Sequence, residues 1–286
     1  MSDVLAIAGQ ALGESLRRRV FLVVAVLTLV LGGLYTWGVT QLFEDVTGFQ
    51  SSASEVGLDA RTLAGATVLG VAMFGTLFLG VVLATFLTLG AVRGDAERGL
   101  LQPLVVRPLS RGTYLAGRLL AAGTVSCAYV TVVFAGATIV TGLAGDWWPD
   151  QPVVACALLS AAVLVVASLS LLASVLLSAT ANGIAVLMAF GAGLTAGLLG
   201  QIGDAIGSHT LTRIADVGSW VLPFEALYRS ALAALVPEVG GVTGAVIQLG
   251  LLGGSHPGGA LLVPFVVAYL AAVGALATWL FGRRDL

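Results

Sequence analysis

Few residues in this chain could do chemistry, and six charged side chains crowd into one short stretch. Asp95, Glu97, Arg98, Arg107, Arg111 and Arg118 all fall in the stretch GDAERGLLQPLVVRPLSRGTYLAGRLL, Gly94 to Leu120. The 31 residues before Arg93 carry no charge, nor do the 27 after Arg118. Inside this island Leu100, Leu101, Leu104 and Val105 recur at i, i+1, i+4 and i+5, one face of a short helix. Gly94 and Gly99 loosen its start, and Pro103 and Pro108 limit its length. A short helix with an apolar face and charged flanks can key into the groove of a soluble partner. The same pattern also suits an ordinary interfacial loop.

The remaining reactive side chains point to no catalytic set. His209 and His256 lie in loop-like sequence without ligand spacing, so no metal site is expected. Cys127 and Cys156 fall inside apolar runs and read as small buried hydrophobes. No His-Glu-x-x-His pattern is present for an intramembrane metalloprotease. All 13 basic residues are arginine. A Walker A loop needs its lysine on the β/γ-phosphates, so this chain carries none, and any use of ATP requires another subunit.

The elements that must position the island are membrane helices. Of 286 residues, 58% are hydrophobic and 10% charged, with a mean hydropathy of +1.03. A soluble domain carries about 25% charged residues, so this composition cannot cover a water-facing surface. A span needs about 20 apolar residues. Six stretches qualify, within 20–39, 63–92, 113–143, 153–177, 184–202 and 260–281. The 53 uncharged residues from Gln151 to Gly203 are too long for one span and break most naturally at SATANG, where Asn182-Gly183 is a turn signal. Asp146-Trp147-Trp148-Pro149-Asp150 is a tight turn with paired tryptophans at the interfacial belt.

Residues 1–19 place Val4, Leu5, Ala8, Ala11, Leu12 and Leu16 at helical spacing before Arg17-Arg18-Arg19, the pattern of an interfacial helix. They lack the cleavage site of a typical signal peptide. Residues 204–259 are expected to form a cap that dips into the bilayer without crossing it. There SWVLPFEALYRSALAAL reads as an amphipathic helix after Pro223, and the glycine-rich apolar stretch 239–254 is too short to span. With six spans and a cytoplasmic N-terminus, ten arginines lie inside and only Arg61, Arg213 and Arg229 outside. Both termini and the island are then cytoplasmic. The expected fold class is an all-α membrane protein.

The order Glu97-x-Gly99, Arg107-Pro108-x-Ser110-Arg111, Gly117-Arg118 closely resembles the cytoplasmic loop of ABC-2 type permeases, the membrane subunits of one class of ABC transporter. Leu100 stands where that family has Thr, Arg118 replaces Lys, and Pro103 is an unexpected helix breaker. Leu222 to Arg229, LPFEALYR, is similar to a segment of the branch related to nitrous oxide reductase maturation permeases. Pro223, Tyr228 and Arg229 match, while Phe224 and Glu225 replace Thr-Asp. The resemblance implies that residues 94–111 are a coupling helix, with Asp95, Glu97, Arg98, Gly99, Leu101, Leu104, Arg107, Pro108 and Arg111 against an ABC ATPase subunit. It implies two ATPase copies, which bind ATP and Mg, and a second copy of this chain or a related permease in a prokaryotic cell membrane. It implies no cofactor in this chain and no nucleic-acid partner.

The family places spans one, two and five along the path and the seam between halves. Gly193, Gly197 and Gly200 form a small-residue face there, suited to such a seam or to packing within one subunit. Thr195 and Gln201 either face the path or bond a neighbouring backbone. A hydrophobic or amphipathic exported cargo suits the charge-poor lining. Metal–sulfur cofactor maturation is the alternative through LPFEALYR. A secondary transporter, a third reading, places ionisable groups at membrane depth for ion relay. The apolar cores of the proposed spans contain no Asp, Glu, Arg or His.

Overall fold

The computed structural model describes residues 19–54, 59–89, 111–235, 259 and 261–283. The expected interfacial helix at 1–19, nearly all of the island at 94–111 and the glycine-rich stretch 239–254 lie outside the described residues. Eight helices occur among those described: α1 Arg19–Ser54, α2 Ala60–Thr88, α3 Arg111–Gly145, α4 Pro152–Leu176, α5 Ala179–Ile206, α6 His209–Val221, α7 Phe224–Ala233 and α8 Leu262–Gly282. All but α6 and α7 are long and apolar enough to cross a membrane. The described residues contain no strand, and the protein is an all-α, multi-pass membrane protein.

Local chemistry sets the helix ends. Asp59 caps α2, its carboxylate accepting from the Arg61 and Thr62 amides at 3.2 Å and from the Thr62 hydroxyl at 2.6 Å. Pro152 opens α4 where its missing N–H costs nothing. Hydrophobic on all sides, α2 and α4 occupy the middle of the bundle. Leu69, Met73, Leu77, Leu159, Val163 and Val165 have no exposure at all. Gly80 lets the backbone of α2 approach its neighbours, since a Cβ there would meet Val163 at 3.0 Å and Val130 at 3.1 Å. Inside the bundle Thr76, Thr85 and Thr88 each bond the carbonyl four residues back, so these hydroxyls have acceptors without water.

Three details depart from the sequence reading. First, α1 runs on as helix to Ser54, well past residue 39. Phe43 seats over Gly145 and joins Val39 and Ala64 in a buried cluster, which rewards the extra turns. Hydrogen bonds from Thr28 to Tyr129 (2.7 Å) and from Tyr35 to Thr141 (2.6 Å) fasten α1 to α3. Second, the two tryptophans part company. Trp147 is 8% exposed, its ring against Gly65, while Trp148 is 56% exposed. Only Trp148 suits a belt, because the left-handed Asp146 (φ 49°) turns the chain and sends Trp147 inward.

Third, the break between α4 and α5 falls at Leu177–Ser178, both extended, at the first residue of SATANG, while Asn182-Gly183 is helical. Asn182 is fully buried in the first turns of α5. Its amide donates to the Ser170 carbonyl of α4 at 3.0 Å and to Leu89 at the end of α2 at 3.4 Å. Beside it the Thr88 and Ser170 hydroxyls are hydrogen-bonded to each other at 2.7 Å. An asparagine that bridges three helices holds its residue helical where a solvated one would turn the chain. Asn182→Ala is expected to cost about 1 kcal/mol, the net contribution of such bonds. Asn182→Asp, nearly isosteric but with an acceptor facing two carbonyls, is expected to cost several kcal/mol. Thermal unfolding in detergent checks the order, and an Asp variant as stable as the Ala variant would contradict this role.

Candidate functional site

The side chains with most chemical character among the described residues meet where α5, α6 and α7 come together. At the end of α5, Gly207 takes a left-handed φ of 69°, and the Ser208 amide returns to the Gly203 carbonyl at 2.8 Å. Only glycine adopts that conformation freely. The chain then doubles back, and α6 runs antiparallel along α5. A Cβ on Gly203 would meet Leu211 at 2.9 Å, one on Gly200 would meet Ala215 at 2.8 Å, and one on Gly218 would meet Ala196 at 2.7 Å. Small residues on both helices therefore let the backbones nearly touch.

Leu222 and Pro223 reverse the direction again, and α7 climbs back beside α4. Its end is sewn to the start of α4, where the Asp150 amide donates to Leu235 at 3.2 Å and Gln151 to Ala234 at 3.1 Å. The tip packs against Gly193 through Leu222 and Phe224, and Phe224 stacks on Phe190 at 5.1 Å. On the other side Trp220 stands edge-on to Phe265 of α8 at 4.7 Å, and the Tyr269 hydroxyl donates to the Val221 carbonyl at 2.8 Å. From Gly203 to Gly193 is ten residues of helix, about 15 Å at 1.5 Å per residue. The hairpin tip therefore lies about 15 Å back along α5 from Gly203.

The hairpin carries an ion pair into this setting. Arg229 is hydrogen-bonded through Nε to Glu225 Oε1, one helical turn away, and Nη2 donates to the Gly197 carbonyl at 2.7 Å. The Glu225 side chain is 9% exposed and that of Arg229 19%. Burial raises the Glu225 carboxyl above its ordinary range, and the charge and hydrogen bond of Arg229 pull it back. Burial also raises the Tyr228 phenol, whose ring lies edge-on to Phe74 of α2 at 6.4 Å. Glu225 and Arg229 come from outside the six spans but stand beside Gly197, within the α5 span.

The structure sorts the other expected site residues. Gly193, Gly197 and Gly200 face the hairpin of their own chain, so this face packs within the subunit. Thr195, exposed on the opposite side, donates to the Gly191 carbonyl at 2.9 Å, and Gln201 is half-buried. Pro223, Tyr228 and Arg229 share the hairpin: Pro223 stands at its turn, and the other two lie on α7. Asp95, Glu97, Arg98, Gly99, Leu101, Leu104, Arg107 and Pro108 lie outside the described residues. Arg111 is the first residue of α3, its side chain also outside them. Two features were not read from the sequence, the burial of Asn182 and the ion pair of Arg229 with Glu225. Asn182 gave a misleading turn signal. Glu225 and Arg229 sit at i and i+4, a legible helical pairing, but nothing local said that it would be buried. Among the described residues no three of His, Cys, Asp and Glu converge.

Comparison with known proteins agrees with this architecture. A family model described as ABC-2 family transporter protein matches residues 5–286, nearly the whole chain. No curated protein matches it. The match is to the family as a whole and does not single out the branch that LPFEALYR resembles.

Proposed function

This chain belongs to the ABC-2 family of transporter proteins, and we propose that it forms the transport path of an ATP-driven exporter of hydrophobic or amphipathic molecules. Membership makes it a membrane permease subunit that works with an ABC ATPase. The family match along the whole chain is the observation that carries this reading. The finer reading follows from chemistry. The chain has no lysine for a P-loop, so ATP and Mg bind in the partner, and work enters through a contact. The charged island 94–111 is the cytoplasmic feature suited to receive it, as a coupling helix in a groove of the ATPase. Two ATPase copies serve two permease halves, this chain paired with itself or with a relative. Both termini lie in the cytoplasm of the cell membrane, following the arginine asymmetry.

The test is co-expression with a candidate ABC ATPase subunit from the same organism. The expected result is a complex that survives detergent purification, hydrolyses ATP and turns over faster when an amphipathic cargo is added to vesicles. A well-folded chain that retains no ATPase in any detergent or lipid would refute the reading.

A further inference from the structure

A cavity of about 330 Å³ opens between α4 and α5 on the side of their short connection. Val166, Leu169 and Ala173 form one wall, and Ala185 and Ala189 the other. Leu222 and Phe224 of the hairpin tip close its inner end. The cavity exists because two constraints act on α5. At one end the turn at Leu177–Ser178 and the Asn182 bridge hold it close to α4. Ten residues on, the hairpin tip stands against Phe190 and Gly193 and widens the gap. The alanines on both walls leave that gap unfilled.

We propose that this cavity holds one acyl chain of a bilayer phospholipid, its methyl end resting on Phe224. Every lining residue is Val, Leu, Ala or Phe. A water there would lack the two to four polar partners it needs. The volume lies within the range of small-ligand pockets, about 300–1,000 Å³. The mouth is continuous with the membrane-facing surface: Leu176 lines the cavity and is 43% exposed, and Ile184 and Met188 beside it are 58% and 69% exposed. In a bilayer a mouth on the outer surface of two spans faces hydrocarbon, so an alkyl chain enters without desolvating a polar group. The occupant touches the hairpin tip through Leu222 and Phe224, so it supports the hairpin from beneath while Glu225 and Arg229 hold it from the side. This proposal depends on the chain spanning a bilayer and not on export.

The experiment reconstitutes the full chain in vesicles of phosphatidylethanolamine and phosphatidylglycerol, doped with phosphatidylglycerol carrying a diazirine near the end of one acyl chain. After irradiation, adducts are mapped by mass spectrometry. Adducts at Leu169, Ala173, Leu222 and Phe224 are expected to exceed those at Val132, a 72% exposed residue of α3. Filling the cavity from either wall, by Ala173→Phe or Ala189→Leu, is expected to lower the Leu222 and Phe224 adducts about tenfold, the change that 1.4 kcal/mol makes. Val132 labelling should stay constant, which also shows that the variants remain folded and inserted. Adducts equal to those at Val132 and indifferent to both substitutions would mean ordinary lipid contact and overturn the site. An unlabelled cavity beside a labelled Val132 would mean that another protein surface, such as a second copy, covers it, and would overturn it equally.

Discussion

Arg229→Met is expected to destabilise the protein by about 3–5 kcal/mol, the cost of leaving one buried charge without its partner. The guanidinium does two things that methionine cannot. It neutralises Glu225, and it donates to the Gly197 carbonyl at 2.7 Å. Without it, the Glu225 carboxylate stands against the backbone of α5 in a setting that already disfavours its charge. It must then take up a proton or pull the hairpin away from the glycines. Glu225→Leu fails from the other side, stranding a cation. The double variant Glu225→Leu/Arg229→Met removes both charges and keeps similar volume, and such replacements are neutral or stabilising in other buried pairs. It is therefore expected to regain most of the loss. Thermal unfolding in detergent, followed by tryptophan fluorescence, measures all three, with Trp220 against Phe265 reporting on the hairpin itself. If the single variants unfold with the parent, the pair does not seat the hairpin.

Leu101→Asp and Leu104→Asp are each expected to abolish capture of the ATPase subunit and transport with it, while the chain still inserts in the membrane. Leu100, Leu101, Leu104 and Val105 recur at helical spacing between charged flanks. A carboxylate forced into a closed groove costs several kcal/mol, and each 1.4 kcal/mol is a factor of ten in affinity. Glu97→Arg alters only an exposed rim charge, and exposed pairs contribute about 0–1 kcal/mol. Its effect should be mild. Pull-down of the ATPase from solubilised membranes separates the cases. Should both aspartate variants retain stoichiometric ATPase and full transport, the island would be an ordinary interfacial loop.

What the sequence settled was whatever composition alone can force. Long apolar runs without charge must leave water, and their backbone polar groups must then be satisfied internally, so the runs become helices. From that came the membrane, the six spanning helices and the all-α class. The missing lysine, a purely chemical fact, excludes a P-loop with its lysine from this sequence and points to another chain for any ATP hydrolysis. The order of residues in the island pointed to the family that the whole chain matches. Tertiary structure decided everything that depended on which surfaces meet. Asn182-Gly183 has the composition of a turn, yet three helices converge on the asparagine and keep it helical. Trp147 and Trp148 are the same residue side by side, and only the direction of the backbone after Asp146 buries one and exposes the other. Glu225 and Arg229 fall on a stretch that reads as an amphipathic helix, and nothing in that pattern shows the pair buried, because burial is not a local property. The chain had to fold back along the glycines of α5 before those charges stood within the bundle. Periodicity shows which residues share a face, but the partner of that face is chosen by contacts between segments far apart in sequence.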